Sequence, residues 1–443
     1  MTIPDEQSLL ELFVRLLPAE RWQRLEGNKR SDQVYSLRLV VAMALLQRLD
    51  EQGTQQAVVQ QLVLGKLDHL AGGERIRNRQ ISSNTGGYAR ASGRVPTKLV
   101  EAVCDEILEE LRQRIQPQAE LQRPLLVLDG TSISLEHRRE LLEQYPAVRN
   151  QHGRAHWGML RLVAFHDVGT GIALRPQWGP MYGEQAVSEQ QLAQQALDQA
   201  PAQSVILGDG NFGVFYLAYQ VDQSRRKLIF RLTAQRGKSL GGASLLPRGE
   251  QRICWRPTRK DQEKHRDLPP DAQLEGRLIA VQRLGFRHPL YLFTTLPDEL
   301  GTVVEWYARR WNMELDLRTL KRTLRLHHLR GKSIAAIEKE LLIAVVAYGL
   351  VRAFMALAAR RASLSPRQLS FTRAYGLVDG SMEKLCSENP QERDRALDRM
   401  LSYIAQSKLP NRSKPRAFPR AVWGFRQSFP PQETVRKWRK DCK

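Results

Sequence analysis

Apolar side chains in the first quarter of the chain recur at the 3.6-residue spacing of an amphipathic helix. Three segments carry this pattern, residues 9–18 (LLELFVRLLP), 36–50 and 97–115, and each predicts a helix. Residues 75–96 contain five Arg and the pair Gly86-Gly87, which indicates a basic loop. The pattern therefore predicts an all-helical domain over residues 1–120. It is either a DNA-binding domain or a helical cap on a larger domain.

The pattern changes after Pro124 from helical spacing to short apolar runs, which are typical of buried strands. Two runs, LLVLDGTSISL from Leu125 and SVILGDGNFG from Ser204, each contain an Asp followed by Gly, at Asp129 and Asp209. A hairpin turning at Gly169–Gly171, two helices and a third strand complete this segment. Such an order indicates an α/β fold with helices packed on a mixed sheet. Taken singly, each Asp-Gly pair is more typical of a turn.

Residues 235–298 contain short apolar and basic runs with little helical spacing, so they predict a β-rich insertion with a basic surface. Residues 305–329 (EWYARRWNMELDLRTLKRTLRLHHL) lack Pro and Gly and predict one continuous helix. The apolar run 341–359 predicts a buried helix rather than a membrane span. Residues 360–405 are predicted to be helical.

One face of the helix predicted over residues 305–329 holds a carboxylate among cations. At roughly 100° per residue, Glu314 shares this face with Tyr307, Arg310, Arg318 and Lys321. This arrangement suits a carboxylate that binds a metal ion beside cations that bind phosphates. A solvated face with ion pairs four residues apart would give the same pattern.

Composition narrows the class of partner. The chain has 443 residues, a net charge of +21 and a pI near 10.1, which favours nucleic acid over an anionic membrane surface. Residues 407–443 contribute eleven basic and two acidic residues with interleaved aromatics, as in an extended arm lying along DNA, or in a solubilising tail. The four cysteines form no CxxC pair, and the acidic start resembles no signal peptide. A reducing cytoplasm is expected, with no membrane contact.

Asp129, Asp209 and Glu314 come from three separate elements and could converge on two divalent ions about 4 Å apart. Such a pair can activate water or a 3′-hydroxyl for phosphodiester transfer. Because the ligands are all oxygen, Mg²⁺ or Mn²⁺ is expected, with two ions per site.

The spacing Tyr307-x2-Arg310-x3-Glu314-x6-Lys321 resembles the YREK motif of the IS4 family of bacterial insertion-sequence transposases. LVLDGTS and LGDGNFG resemble the two catalytic aspartate blocks of that family, and residues 85–96 resemble a segment of its amino-terminal region. The resemblance implies an RNase H-like catalytic core, split by the β-rich insertion, and cut-and-paste transposition by a DDE enzyme. The expected amino-terminal part is a DNA-binding domain at residues 1–120. The catalytic core is then expected at residues 121–234 and 299–375, with the insertion at 235–298 between its two parts. Residues 376–443 are expected to form a helical region and a basic tail.

By the same resemblance, the catalytic and metal-binding triad is Asp129, Asp209 and Glu314. Tyr307, Arg310 and Lys321 would contact DNA phosphates. Trp255, the one Trp of the insertion, is a candidate for holding a flipped base, and a local core position is the favoured alternative. The expected partners are the terminal inverted repeats, target DNA and a second copy of the chain, in a synaptic complex at the bacterial nucleoid. Release of the flanking DNA through a hairpin is one route of cleavage. A catalytically silent DNA-binding regulator and an RNase H-like nuclease are the alternatives.

Overall fold

The computed structural model describes residues 4–26, 34–50, 53–70, 74–78, 80–115, 123–150, 153–282 and 288–410. The described helices are α1 Pro4–Arg15, α2 Ala19–Glu26, α3 Leu37–Leu49, α4 Gln55–Val63, α5 Glu74–Arg77, α6 Gly86–Arg94, α7 Thr97–Arg114, α8 Arg139–Gln144, α9 Glu189–Ala196, α10 Phe215–Gln223, α11 Ala234–Ser239, α12 Arg259–Lys264, α13 Leu300–Ala308, α14 Asn312–Arg322, α15 Ile334–Arg361, α16 Phe371–Leu385 and α17 Pro390–Gln406.

Nine strands in the described ranges form one mixed sheet, so the α/β expectation is confirmed. They are β1 Leu125–Leu135, β2 Ala147–Asn150, β3 Gly153–Asp167, β4 Gln177–Pro180, β5 Val205–Gly208, β6 Lys227–Leu232, β7 Arg248–Trp255, β8 Leu274–Val281 and β9 Leu290–Thr294. Their order is β2-β3-β1-β5-β6-β9-β8-β7, with β4 beside β3. Only β1–β5 and β5–β6 pair in parallel.

The sheet lies between two helical layers, because successive side chains of a strand point to opposite faces. Val127 and Leu207 join a core that includes α1, α3, α7 and α15, whereas Leu128 and Ile206 join a core with α9 and α10. Helix α15 crosses the first of these cores. It is the one described helix that is long and apolar enough to span a membrane, and the whole of that apolar window is buried in the protein. It is therefore a core helix, as its sequence predicts.

The strands predicted for residues 235–298 are present and pair onto the sheet already formed. Strand β9 pairs with β6 in antiparallel register, for example Phe230 with Phe293, and β8 and β7 follow outward. The β-rich stretch therefore extends the central sheet by three strands.

Two local predictions are wrong. Residues 86–94 form helix α6 rather than a loop, because Gly86 and Gly87 occupy only its first turn and Tyr88 anchors it at 2% exposure. Residues 305–329 do not form one helix. A 3₁₀ turn at Arg309–Trp311 separates α13 from α14, and Arg325 adopts a left-handed conformation (φ 56°) just after α14. The arm predicted over residues 407–443 lies almost wholly outside the described residues, which end at 410.

Candidate active site

The two candidate aspartates lie side by side on neighbouring parallel strands. Val127 is in register with Leu207, so Asp129, two residues later on β1, meets Asp209 just past the end of β5. Each carboxylate accepts a hydrogen bond from a nearby backbone amide. The Gly130 amide donates to Oδ1 of Asp129 and the Asn211 amide to Oδ1 of Asp209, both at 2.8 Å. Strand β5 ends at Gly208 and β1 continues beyond its pairing with β5, so both side chains lie at the carboxyl-terminal edge of this parallel pair.

Negative charge accumulates at this edge. Burial, together with the charges of Asp209 and Glu189, raises the pKa of Asp129 to about 6. The Gly130 amide and Arg310 act in the opposite direction. A carboxyl group surrounded by other carboxylates in a half-buried position favours a bound cation.

Arg310 and Tyr307 lie close to the aspartates, at the junction of α13 and α14. Arg310 is 6% exposed and Tyr307 5%; the Arg310 guanidinium lies 5.9 Å from the centre of the Tyr307 ring and 5.2 Å from that of Trp311. Nε of Arg310 has no hydrogen-bond partner within the described part of the chain. Burial raises the pKa of Tyr307 despite the opposing charge of Arg310. Burial of both side chains excludes a solvated face at these two positions.

The remaining sequence-predicted residues of this segment lie on α14. Arg318 is exposed, and Lys321 is half-buried, with its pKa lowered by that burial. Glu314 belongs to the same helix, and α14 contacts β1. The side chain of Glu314 lies outside the described part of the structure.

A buried ionic network fixes α14, and no part of it was expected from the sequence. Asp316 is fully buried and accepts a hydrogen bond from Arg352 of α15. Arg367 donates to both carboxylate oxygens at 2.6 and 2.8 Å. Burial alone would raise the pKa of Asp316, but Arg352 and Arg367 hold it below its ordinary value.

Arg367 also binds the end of β3, the strand next to β1. Arg367 donates from Nε to the carbonyl of Val168 at 2.8 Å and from Nη2 to the carbonyl of Asp167 at 2.9 Å. Nδ1 of His166, on β3, lies 3.8 Å from Asp316, and burial lowers the pKa of His166 to about 4. The network therefore ties α14, two residues from Glu314, to the end of β3.

Trp255 does not reach this site. Its indole is 4% exposed and packs edge-on against Phe215 and Phe293, with ring centres 5.7 and 5.0 Å away. Packing between two core aromatic rings gives Trp255 a core position and does not support the expected DNA contact at this residue.

Two residues that the sequence did not single out reach the aspartates. Glu189, the first residue of α9, accepts a hydrogen bond from the side chain of Asn211. Its carboxylate also fills the space beside Gly130. The available sequence signals are the capping pattern from Ser188 to Gln191 and the position of Asn211 two residues after Asp209.

The described donors suit a hard divalent ion but do not complete its coordination. Among the described side chains, no three His, Cys, Asp or Glu residues form a group that could hold a metal. Asp129 and Asp209 provide two oxygen-donor side chains at a site where negative charge accumulates, which is the environment that such an ion requires.

Comparison with known proteins gives three matches. Residues 120–350 match the family described as "Transposase DDE domain". The transposase for insertion sequence element IS4 of Escherichia coli (strain K12) is 24% identical over 305 residues, covering 67% of either chain. A cryo-EM structure of a piggyBac transposase synaptic complex with hairpin DNA aligns with a TM-score of 0.43 and 11% identity, covering 98% of this chain and 90% of that one.

Proposed function

Because this chain belongs to the transposase DDE family, it is an enzyme that cleaves DNA and transfers its strands, and we propose that Asp129, Asp209 and Glu314 form its catalytic triad. The matched segment, residues 120–350, contains all three positions. The identification as an IS4-family DDE transposase is confirmed by this match together with the similarity to the IS4 transposase. The observation that supports the triad is the side-by-side placement of Asp129, within β1, and Asp209, just past the end of β5.

Membership of the family implies dependence on a divalent metal. We propose two Mg²⁺ or Mn²⁺ ions, held by the three carboxylates. When bound, such ions supply Lewis acidity that activates the attacking hydroxyl and stabilises charge on the leaving oxygen. The protein's own contribution is to hold the carboxylates close together. Because burial raises the pKa of Asp129, a bound cation would favour its ionised form.

The cations beside the aspartates would hold the DNA strand. Arg310 is buried, so its guanidinium is held in place, and it can present a planar pair of donors to a phosphate. Tyr307 packs against it, and Lys321 and the exposed Arg318 follow along α14. We propose that Arg310, Tyr307 and Lys321 contact phosphates next to the scissile bond and that Arg318 contacts DNA farther out.

Around this site we propose an RNase H-like core built from residues 121–234 and 299–375, with residues 235–298 inserted between them. The proposed DNA partners are the terminal inverted repeats and the target, bound by two copies of the chain in a synaptic complex at the nucleoid. Release of the flanking DNA through a hairpin is one possible route for cleavage.

The deciding experiment incubates the protein with Mg²⁺ and DNA carrying the ends of its own element. Asp129→Ala, Asp209→Ala and Glu314→Ala should each lower strand cleavage by at least about 10³-fold, because each removes a ligand of the reacting centre. Their DNA affinity, measured by gel shift, should stay within about threefold of wild type, since binding rests on phosphate contacts elsewhere. Cleavage at the wild-type rate by any of the three would overturn the triad. DNA binding without cleavage by the wild-type protein would favour the regulator, and cleavage without strand transfer the nuclease.

A further inference from the structure

Helix α9 begins at the edge of the sheet that carries the two aspartates. Ser188 caps it: its Oγ accepts a hydrogen bond from the Gln191 amide at 3.2 Å, and the Gln191 side chain accepts one from the Ser188 amide at 2.8 Å. This reciprocal pair fixes the first turn, and with it the backbone of Glu189. A carboxylate in the first turn is also stabilised by the positive end of the helix dipole.

Glu189 is bound to the loop of Asp209. The Asn211 side chain donates to Oε2 of Glu189, while the Asn211 amide donates to Oδ1 of Asp209 at 2.8 Å. The neighbouring Gln190 donates to the backbone and side-chain oxygens of Asn211 at 2.8 and 3.0 Å. Asn211 is therefore held from both sides, between the start of α9 and the second aspartate.

Glu189 also packs against strand β1 beside Asp129. A Cβ at position 130 would lie 2.8 Å from Cδ of Glu189 and 2.9 Å from its Oε1, closer than real contacts allow. A side chain at this position would therefore push the Glu189 carboxylate aside. The amide of the same residue, Gly130, donates to Asp129. One side chain thus touches the segments that hold both aspartates.

We propose that Glu189 is a positioning residue that fixes the separation of Asp129 and Asp209 by joining strand β1 and the loop after β5 to α9. It acts through Asn211 on one side and through contact with Gly130 on the other. This inference rests on the proposed function, because the separation matters only if the two aspartates share metal ions. Glu189 itself is not assigned as a metal ligand.

The test compares Glu189→Ala, Glu189→Gln and Asn211→Ala with wild type. Two quantities are measured: cleavage of the terminal DNA, and Mn²⁺ affinity by calorimetry without DNA. Glu189→Ala and Asn211→Ala should each lower cleavage and Mn²⁺ affinity at least tenfold. Glu189→Gln retains an oxygen that can accept from Asn211, so both quantities should stay within about threefold.

Combining Glu189→Ala with Asn211→Ala should lower neither cleavage nor Mn²⁺ affinity further, because both changes break the same connection. Glu184→Ala, an exposed glutamate on the preceding loop, is the matched control and should change neither quantity.

Gly130→Ala provides an independent arm. Its methyl group should displace Glu189 and reproduce the losses of cleavage and Mn²⁺ affinity expected for Glu189→Ala. In a Glu189→Ala background, where the space is free, Gly130→Ala should lower either quantity by less than a further twofold. Wild-type cleavage and Mn²⁺ affinity in Glu189→Ala, or multiplicative losses in the double variants, would overturn the proposal. Asp129→Ala separates the two ideas: if it is inactive while Glu189→Ala is normal, only the positioning role fails, and if it is active, the triad itself fails.

Discussion

At the scale of one residue, Asp129 lowers the stability of the metal-free protein at neutral pH in a position suited to metal-dependent chemistry. Its folded-state pKa of about 6 lies above the value of about 4 expected in an unfolded chain. The protonated form is therefore favoured in the fold. The stability that this provides is present below about pH 4 and is lost as pH rises through about 6. At neutral pH the metal-free protein carries the full cost of an ionised Asp129.

Asp129→Asn should accordingly stabilise the metal-free protein while abolishing cleavage. At pH 7.5 with EDTA we expect the free energy of unfolding to rise on the order of 1–2 kcal/mol, because the amide keeps the shape and removes the charge. The gain should vanish below pH 4, and added Mg²⁺ should narrow it by stabilising wild type. Urea unfolding measures this gain in the free energy of unfolding, and Asp271→Asn, at an exposed site, is the control. A variant less stable than wild type in EDTA would show that negative charge does not strain this site.

At the scale of the element, α14 is held by charge as well as by apolar packing. Leu317 and Leu320 of α14, and Leu324 just after it, are buried. Apolar side chains alone allow a helix to slide or rotate slightly, whereas Asp316 meets two arginines in fixed directions. These bonds set the rotation of α14 about its axis, and with it the direction in which the backbone presents position 314.

Asp316→Asn should therefore damage both stability and catalysis. Removing one member of a buried ion network leaves uncompensated charge and costs about 3–5 kcal/mol. Cleavage, measured at a temperature where the variant remains folded, should fall at least tenfold. Asp398→Asn also breaks an arginine pair, with Arg361, but the Asp398 side chain is 68% exposed, so we expect a change below about 1 kcal/mol and normal cleavage. Equal effects of the two substitutions would show that Asp316 does not position the helix.

At the scale of the whole molecule, charge is distributed unevenly along the chain. Residues 411–443 contain ten basic and two acidic residues, which account for eight of the 21 net positive charges. Each phosphate neutralised by the protein releases counter-ions, so the salt dependence of DNA affinity counts the contacts. A carboxyl-terminal segment with this composition should contribute mainly to affinity that is independent of sequence.

Deleting residues 411–443 should weaken binding to duplex DNA and flatten its dependence on salt. If all eight charges meet phosphates, the slope of log K against log salt should fall in magnitude by about seven. Fluorescence anisotropy between 50 and 300 mM salt measures the slope, and full-length Asp129→Ala should keep the wild-type slope. An unchanged slope in the deletion variant would mean that the segment does not contact DNA.

Much of the fold and the core of the site could be predicted from the chain alone. The apolar runs that lead into Asp129 and Asp209, the apolar helix α15 and the spacing from Tyr307 to Lys321 are local patterns. Local patterns persist in any fold that buries them, because backbone geometry fixes their periods. The chain therefore determined its own family, its α/β class and two neighbouring aspartates.

Contacts between distant segments were decided only by the tertiary structure. No periodic signature in the sequence marks four of these features. They are the 3₁₀ turn at Arg309–Trp311, the burial of Trp255, the Asp316 network and the contacts of Glu189 with Asn211 and Gly130. Each depends on which surfaces meet after folding, since packing and burial set the energy of a side chain more strongly than its neighbours in sequence do. A tryptophan in a basic segment is equally compatible with a DNA contact and with a core position, and only the position of β7 at the sheet edge, against α10 and β9, decides between them.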